Sequence, residues 1–231
     1  MAFRKTTLLL ACVPLAILLL LETGVLWRIF NKIWADINYL GQYKWVALGV
    51  VVFMLVRYLI IKLHWPFRKG TGKANLETLE TFLHEGTHQI VALFLGRRLH
   101  SFYVEQHSGV VYTSGSEHTH LFVALAPYCL PWLTLLLVIA RVMIKPEWMW
   151  LYDMMIGLSA GFHGVCFYKD TRKDQKDISQ FPLQFSYLYI VTFLFLNTLI
   201  VLVSIGEDYH IFQTIRYIVE TFVDVVVSIF K

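Results

Sequence analysis

Long apolar stretches separated by short polar connectors are the feature that most restricts how this chain can fold. Five such runs cover residues 7–30, 43–63, 118–143, 148–167 and 185–205. Each run has about the 20 residues that a helix needs to cross the hydrocarbon core of a bilayer. The composition agrees, because 57% of the 231 residues are hydrophobic and only 16% are charged. Lipid is therefore the expected solvent around most of these segments.

Two less uniform segments complete the predicted fold. Residues 76–95 form a helix with several ionisable side chains, and residues 209–230 form a helix with one polar stripe that either crosses the membrane or lies on it. The first run has no obvious small-x-small cleavage site, so we expect a retained helix with Glu22 directed into the bundle or at an interface rather than towards lipid. These features predict an all-α membrane protein, a bundle of six to seven transmembrane helices that forms one domain over residues 1–231.

Local signals predict the ends of the helix over residues 76–95 and the element that follows it. Asn75 can cap its start, and Gly96 followed by Arg97-Arg98 is typical of a helix C-terminus. Residues 101–113 then break the helical pattern, with two β-prone arms around a Gln-His-Ser-Gly turn. We therefore expect a small β-hairpin directly after this helix.

The charge and cysteine patterns argue against other classes of protein. The net charge of +4 is small, and basic residues cluster in connectors such as Arg68-Lys69, where lipid headgroups rather than nucleic acid are the expected partners. The three cysteines lie far apart in apolar surroundings without a C-x-x-C spacing, at Cys12, Cys129 and Cys166. Small buried side chains are the expected role of these cysteines, and we expect no nucleic-acid partner.

The segment His84-Glu85-Gly86-Thr87-His88 carries the chemistry of the sequence. His84 and His88 lie one helical turn apart, so both imidazoles project from the same face and can bind one tetrahedral metal ion. Zinc bound in this way lowers the pKa of a water molecule to about 7, and Glu85 can take the proton as the water attacks a peptide carbonyl. Three ionisable residues within five positions of an apolar helix are costly without partners, which favours a functional site.

The sequence around this motif resembles the site-2 protease family of intramembrane zinc metalloproteases. The resemblance rests on the residues from Thr81 to His88, the following Gly96, the predicted hairpin and a helix with Ala126-Pro127. It implies that His84 and His88 bind Zn²⁺, that Glu85 is the catalytic base, and that membrane-protein substrates are cut within or beside a transmembrane segment. It also implies a catalytic core over residues 76–205 and a hairpin that helps to present an unwound substrate by β-augmentation.

The third zinc ligand is assigned from the resemblance rather than from spacing. Members of the family usually supply an aspartate from Asn-Pro-Asp-Gly or Leu-Asp-Gly, and neither sequence occurs here. The connector over residues 173–178 resembles a Gln-x-Asp variant of compact bacterial relatives, which makes Asp177 the preferred ligand. The alternatives are Asp153, His163, Asp170 and Asp174, of which the last two are expected in a solvated, charged connector.

Together these features predict an intramembrane zinc endopeptidase that acts on membrane proteins in the lipid bilayer, in the cell (inner) membrane if the source is bacterial. Two further classes remain open: a membrane transporter or channel for metal ions or protons, and a catalytically inactive membrane scaffold. Replacement of Glu85 by Gln separates transport from hydrolysis, because only hydrolysis needs the carboxylate as a base.

Overall fold

The computed structural model describes residues 5–62, 71–104, 109–113 and 121–229, and it is mainly helical. The α-helices in chain order are α1 Lys5–Leu10, α2 Cys12–Ala35, α3 Ile37–Gly41, α4 Lys44–Lys62, α5 Thr71–Phe94, α6 Leu121–Leu125, α7 Trp132–Ala140, α8 Met149–Asp170, α9 Lys176–Ser179, α10 Leu183–Gly206 and α11 Ile211–Ile229. Short 3-10 turns cover Ala126–Tyr128, Arg141–Met143 and Pro146–Trp148, and the strands are β1 Leu99–Val104 and β2 Gly109–Thr113.

Three helical segments among the described residues are long and apolar enough to cross a membrane, over Thr7–Ala35, Lys44–Lys62 and Leu183–Gly206. A fourth crossing is added if the bent pair Leu121–Tyr128 and Trp132–Met143 forms one span. The prediction of a helical membrane protein is therefore supported, whereas the predicted count of six to seven spans is not confirmed. Ionisable residues along α5 and α11 lower the hydropathy of both helices.

The described part of the predicted span over residues 118–143 is not one straight helix, because the chain bends by 80° between α6 and α7. Proline explains the break, since Pro131 has no N–H to donate and its ring clashes with the preceding helical turn. Pro127 opens the intervening 3-10 turn. As a result, α6 and this turn pack against α5 instead of continuing along α7.

The predicted start of α5 is wrong, whereas its predicted end is correct. The helix begins at Thr71, so Asn75 lies inside it and the predicted cap is wrong. Polar residues suit the first turn of a helix, because its first four N–H groups have no intrahelical acceptor and need polar partners. The C-terminal end is as predicted: Gly96 has a φ of +72°, and the N–H of Arg97 donates to the carbonyl of Ala92 at 3.0 Å. Only glycine adopts this backbone conformation without strain.

Strands β1 and β2 pair in antiparallel fashion directly after α5, with Phe102 opposite Val111 and Tyr103 opposite Val110. Both strands contact α5. The predicted turn over residues 106–109 lies outside the described residues, apart from Gly109 at the start of β2. The chain therefore places a two-stranded sheet beside the helix that carries the histidines.

Helices α2, α10 and α11 form a second part of the bundle. Their shared core includes Val25, Leu199, Val203 and Ile218, each at most 4% exposed. Glu22 lies one turn before Val25 on α2 and is fully buried, which agrees with the prediction that this carboxyl avoids lipid. Burial of this kind is expected, because a carboxylate facing hydrocarbon is costly.

Two glycines bring α4 and α8 into direct backbone contact. A Cβ built on Gly157 would meet the carbonyl oxygen of Val46, and one built on Gly49 would meet the carbonyl oxygen of Met154. Small residues at such a crossing let two membrane helices approach closely. This interface is the most extensive helix pairing among the described elements.

The glycine contact predicts the effect of one added methyl group. Gly157→Ala should lower the free energy of unfolding by about 1–3 kcal/mol, because the methyl group overpacks against backbone atoms. Gly164→Ala on the same helix is the matched control, since a Cβ there meets no atom within 4 Å and alanine favours the helix. Unfolding by SDS titration in detergent micelles measures both changes, and equal stability of the two variants would contradict the contact.

Candidate metal centre

Two histidines of α5 and one aspartate of α9 converge on one point. The ring centroids of His84 and His88 are 5.1 Å apart, as expected for residues one helical turn apart. Nε2 of His88 lies 3.3 Å from Oδ2 of Asp177. Each of the three residues offers a ligand atom, and these atoms all lie within 4.8 Å of one another. The three residues preferred from the sequence are thus brought together.

Each of these three side chains also has a further partner. Nδ1 of His88 lies 2.7 Å from the backbone oxygen of Val123, and Nδ1 of His84 lies 3.3 Å from Oδ2 of Asp170. The hydroxyl of Tyr128 donates to Asp177 at 3.4 Å. Since both Nδ1 atoms have partners, Nε2 is the nitrogen of each ring that remains for a ligand.

Asp177 reaches this point because a buried residue anchors its short helix. The neighbouring Ile178 is fully buried in a core with Leu125, Tyr128 and Phe185. The hydroxyl of Ser186 on α10 donates to the carbonyl of Ile178 at 3.0 Å. The connector between α8 and α10 is thereby held against α6, although most of its side chains are polar.

The charge state of Asp177 suits a ligand. Burial by itself raises the pKa of this carboxyl, but the hydrogen bond from His88 and the charges of His88 and His84 lower it. The net result is a pKa below the ordinary value for aspartic acid. Asp177 therefore remains an anion, which is the form that binds a cation.

Glu85 is near enough to the candidate ligands to interact with their charges. It follows His84 directly in α5 and is half-buried. Its carboxyl interacts electrostatically with His88, His84 and Asp177. This position is the one expected for a base that takes a proton from a water molecule near the three ligands.

The residues present fit a zinc ion. Two imidazoles and one carboxylate form a common three-ligand set for catalytic zinc, in which the fourth position is left for water or substrate. The side chains are 11% exposed for His88 and 34% exposed for Asp177, so the group is reachable from outside the bundle. Outer partners that hold the ligands in place are also typical of zinc sites.

The candidate ligand Asp153 lies elsewhere. It is near the start of α8, where its carboxylate accepts from Nε of Arg141 at 2.9 Å. Asp170, at the opposite end of α8, contacts His84, and the helix between Asp153 and Asp170 is about 25 Å long. Asp153 is therefore wrong as a zinc ligand, and it neutralises a buried arginine instead.

Three more candidate ligands, His163, Asp174 and Asp170, also fall outside the group of ligand atoms found among the described residues. His163 is 4% exposed and its ring stacks on Phe167 with centroids 5.9 Å apart. Asp174 is exposed and pairs with Arg172 at 3.5 Å, as expected for a solvated connector. The expectation for Asp170 was wrong, because this residue was expected in the solvated connector but lies against His84.

A buried ionic cluster was missed from the sequence. Glu80 is 5% exposed and pairs with Arg57 of α4 and with Lys169 of α8. Glu80 lies one turn before His84, so the cluster fixes α5 against α4 and α8 close to the ligands. A carboxylate within a mainly apolar helix indicates that it has charged partners. The spacing of residues in the sequence does not identify Arg57 and Lys169 as these partners.

The fold and the site together define a class of protein: a helical integral membrane protein with two histidines and one aspartate that could hold a metal ion. Comparison with protein families agrees, since residues 45–226 match the family described as Peptidase M50B-like. The chain therefore belongs to this family, which is the site-2 protease family and falls within the M50 group, a group known for zinc metalloproteases. The resemblance seen around the motif is thereby confirmed. No curated protein and no solved structure matches the chain.

Measurements of zinc binding can distinguish Asp177 from Asp153 as the third ligand. Asp177→Ala should weaken zinc binding by more than about 100-fold, which exceeds the usual cost of losing an outer partner. Asp153→Ala should keep the zinc but lower the free energy of unfolding by about 3 kcal/mol, because Arg141 is left buried with one partner fewer. Metal analysis by mass spectrometry and SDS titration measure the two effects, and zinc loss in Asp153→Ala alone would reverse the assignment.

Proposed function

We propose that this protein is an intramembrane zinc endopeptidase. It cleaves membrane-protein substrates within or next to a transmembrane segment, by attack of an activated water on the peptide carbonyl. The observation that carries the proposal is the convergence of His84, His88 and Asp177 beside Glu85. Membership of a family of zinc metalloproteases supports the same conclusion.

The roles of the residues follow from their chemistry. His84, His88 and Asp177 would hold the ion, and zinc supplies a Lewis acid that polarises the carbonyl and lowers the pKa of a nearby water. Glu85 takes the proton of the attacking water and then delivers it to the departing amine. Val123 and Tyr128 keep His88 and Asp177 in position during this exchange.

Access for water is consistent with the location of the site. The ligands lie where α8 ends and the polar connector to α10 begins, and Asp170 and Asp177 in this region are about one third exposed. A site at the end of a helix can admit water without exposing backbone groups to lipid. The proposed reaction therefore takes place near a membrane surface, and in the cell membrane if the source is bacterial.

The small sheet offers a way to bind an unwound substrate. Strands β1 and β2 contact α5, and they form a sheet of two strands among the described residues. An outer strand edge presents N–H and C=O groups that can pair with an extended peptide. We propose that a substrate segment adds to this sheet and thereby reaches the ligands as an extended chain, which proteolysis requires.

The replacement Glu85→Gln tests the proposed activity. Wild type and variant are reconstituted in liposomes with a panel of single-span membrane proteins, and the products are mapped by mass spectrometry. Wild type should cut within or next to the apolar segment, and Glu85→Gln should reduce the rate by roughly 10²–10⁴-fold because the base is lost. Zinc content should stay equal, since Glu85 is not among the three ligands.

Two controls make the test specific. Glu147→Gln alters an exposed carboxylate in a 3-10 turn before α8 and should leave the rate unchanged. Removal of zinc by a chelator should abolish cleavage, and added zinc should restore it. Cleavage by Glu85→Gln at the wild-type rate would contradict the mechanism, and a zinc-loaded wild type that cleaves no member of the panel would contradict the enzyme assignment.

A further inference from the structure

The C-terminal end of α8 contacts α5 through two adjacent side chains. Lys169 pairs with Glu80, and Oδ2 of Asp170 lies 3.3 Å from Nδ1 of His84. Glu80 and His84 are one helical turn apart, so the two contacts act on the same face of α5. The end of α8 is thus aligned with the first zinc ligand proposed above.

The two histidines have partners of different kinds at the same ring position. A backbone carbonyl from Val123 faces Nδ1 of His88, whereas a side-chain carboxylate from Asp170 faces Nδ1 of His84. A carboxylate at this position fixes the tautomer and the ring orientation and raises the basicity of the nitrogen that binds the metal. Asp170 is therefore the histidine partner that a side-chain replacement can remove, whereas the backbone carbonyl of Val123 cannot be removed in this way.

The surrounding charges do not offer a simpler role for Asp170. Of the nearby cations, Lys169 pairs with Glu80 and Arg172 pairs with Asp174. Asp170 does not belong to the group of three ligand atoms found among the described residues. Its side chain is 28% exposed and that of His84 is 15% exposed, so their contact is partly shielded from water.

We infer that Asp170 is a positioning residue of the metal centre, which holds His84 with Nε2 directed at the ion and does not itself bind the ion. This inference rests on the proposed zinc site. It assigns to Asp170 a role in metal affinity, so its effect is measurable without any substrate.

The test compares zinc binding of the purified full-length protein with that of four variants. Asp170→Ala should weaken zinc binding by about 10–100-fold, as expected for loss of an outer carboxylate, and should still bind one ion at saturating zinc. Asp170→Asn is nearly isosteric and should show a smaller loss in the same direction. Asp174→Asn, in the connector that follows α8, should bind like wild type, and His84→Ala should lose the site. Competition with a chromogenic chelator gives the affinities.

A spectroscopic readout separates positioning from a general effect on the fold. With Co²⁺ in place of zinc, the visible absorption bands should change in Asp170→Ala and Asp170→Asn, because the orientation of one imidazole changes, and should not change in Asp174→Asn. Thermal unfolding of the metal-free proteins identifies any variant that fails to fold. If Asp170→Ala does not fold, Asp170→Asn decides the question.

Each remaining outcome counts against one statement. Wild-type zinc affinity in both Asp170 variants would overturn the positioning role and leave the proposed function standing. Complete loss of binding in a folded Asp170→Ala, equal to that of His84→Ala, would make Asp170 a ligand and also overturn the inference. A wild-type protein that binds no zinc would instead refute the proposed function.

Discussion

Ionisable side chains on a mainly apolar helix need partners, and this requirement organises the region around α5. Glu80 shows it most clearly, since it is 5% exposed and pairs with a cation from each of two neighbouring helices, Arg57 of α4 and Lys169 of α8. A buried carboxylate without them would cost several kcal/mol. The pairing fixes the rotation of α5 about its axis and thereby determines which way His84 and His88 point.

Much of the scaffold could be predicted because it depends on composition and local geometry. The spans at Lys44–Lys62 and Leu183–Gly206 agree closely with the predicted runs, since uninterrupted hydrophobicity at this length is typical of a transmembrane helix. The end of α5 at Gly96 followed from the backbone freedom of glycine. His84 and His88 followed from helical periodicity, whereas Asp177 came from a family resemblance, because a contact across 89 residues leaves no trace in local spacing.

The features that were missed depend on tertiary contacts. Pro131 was visible in the sequence, but a proline inside an apolar run is compatible with a kinked span as well as with a break. The consequence of the break, a backbone oxygen of Val123 at His88, required the packing of α6 against α5. Asp170 was assigned to a solvated connector because of its charged neighbours in the sequence. Asp153 was considered a ligand because the direction of a helix indicates only approximately how deep each residue lies in the membrane. The structure resolves both through their partners, His84 and Arg141.

The glycine contact between α4 and α8 has a mechanical consequence. At Gly49 and Gly157 the backbones of α4 and α8 are in direct contact, and Glu80 joins α5 to the same pair of helices. Two of the three proposed ligands therefore belong to α5, which packs with α4 and α8, whereas Asp177 is held through Ile178 against α10 and the core beside α6. The proposed metal centre therefore lies where α5 meets the connector before α10. A bound ion would thus join these two segments directly.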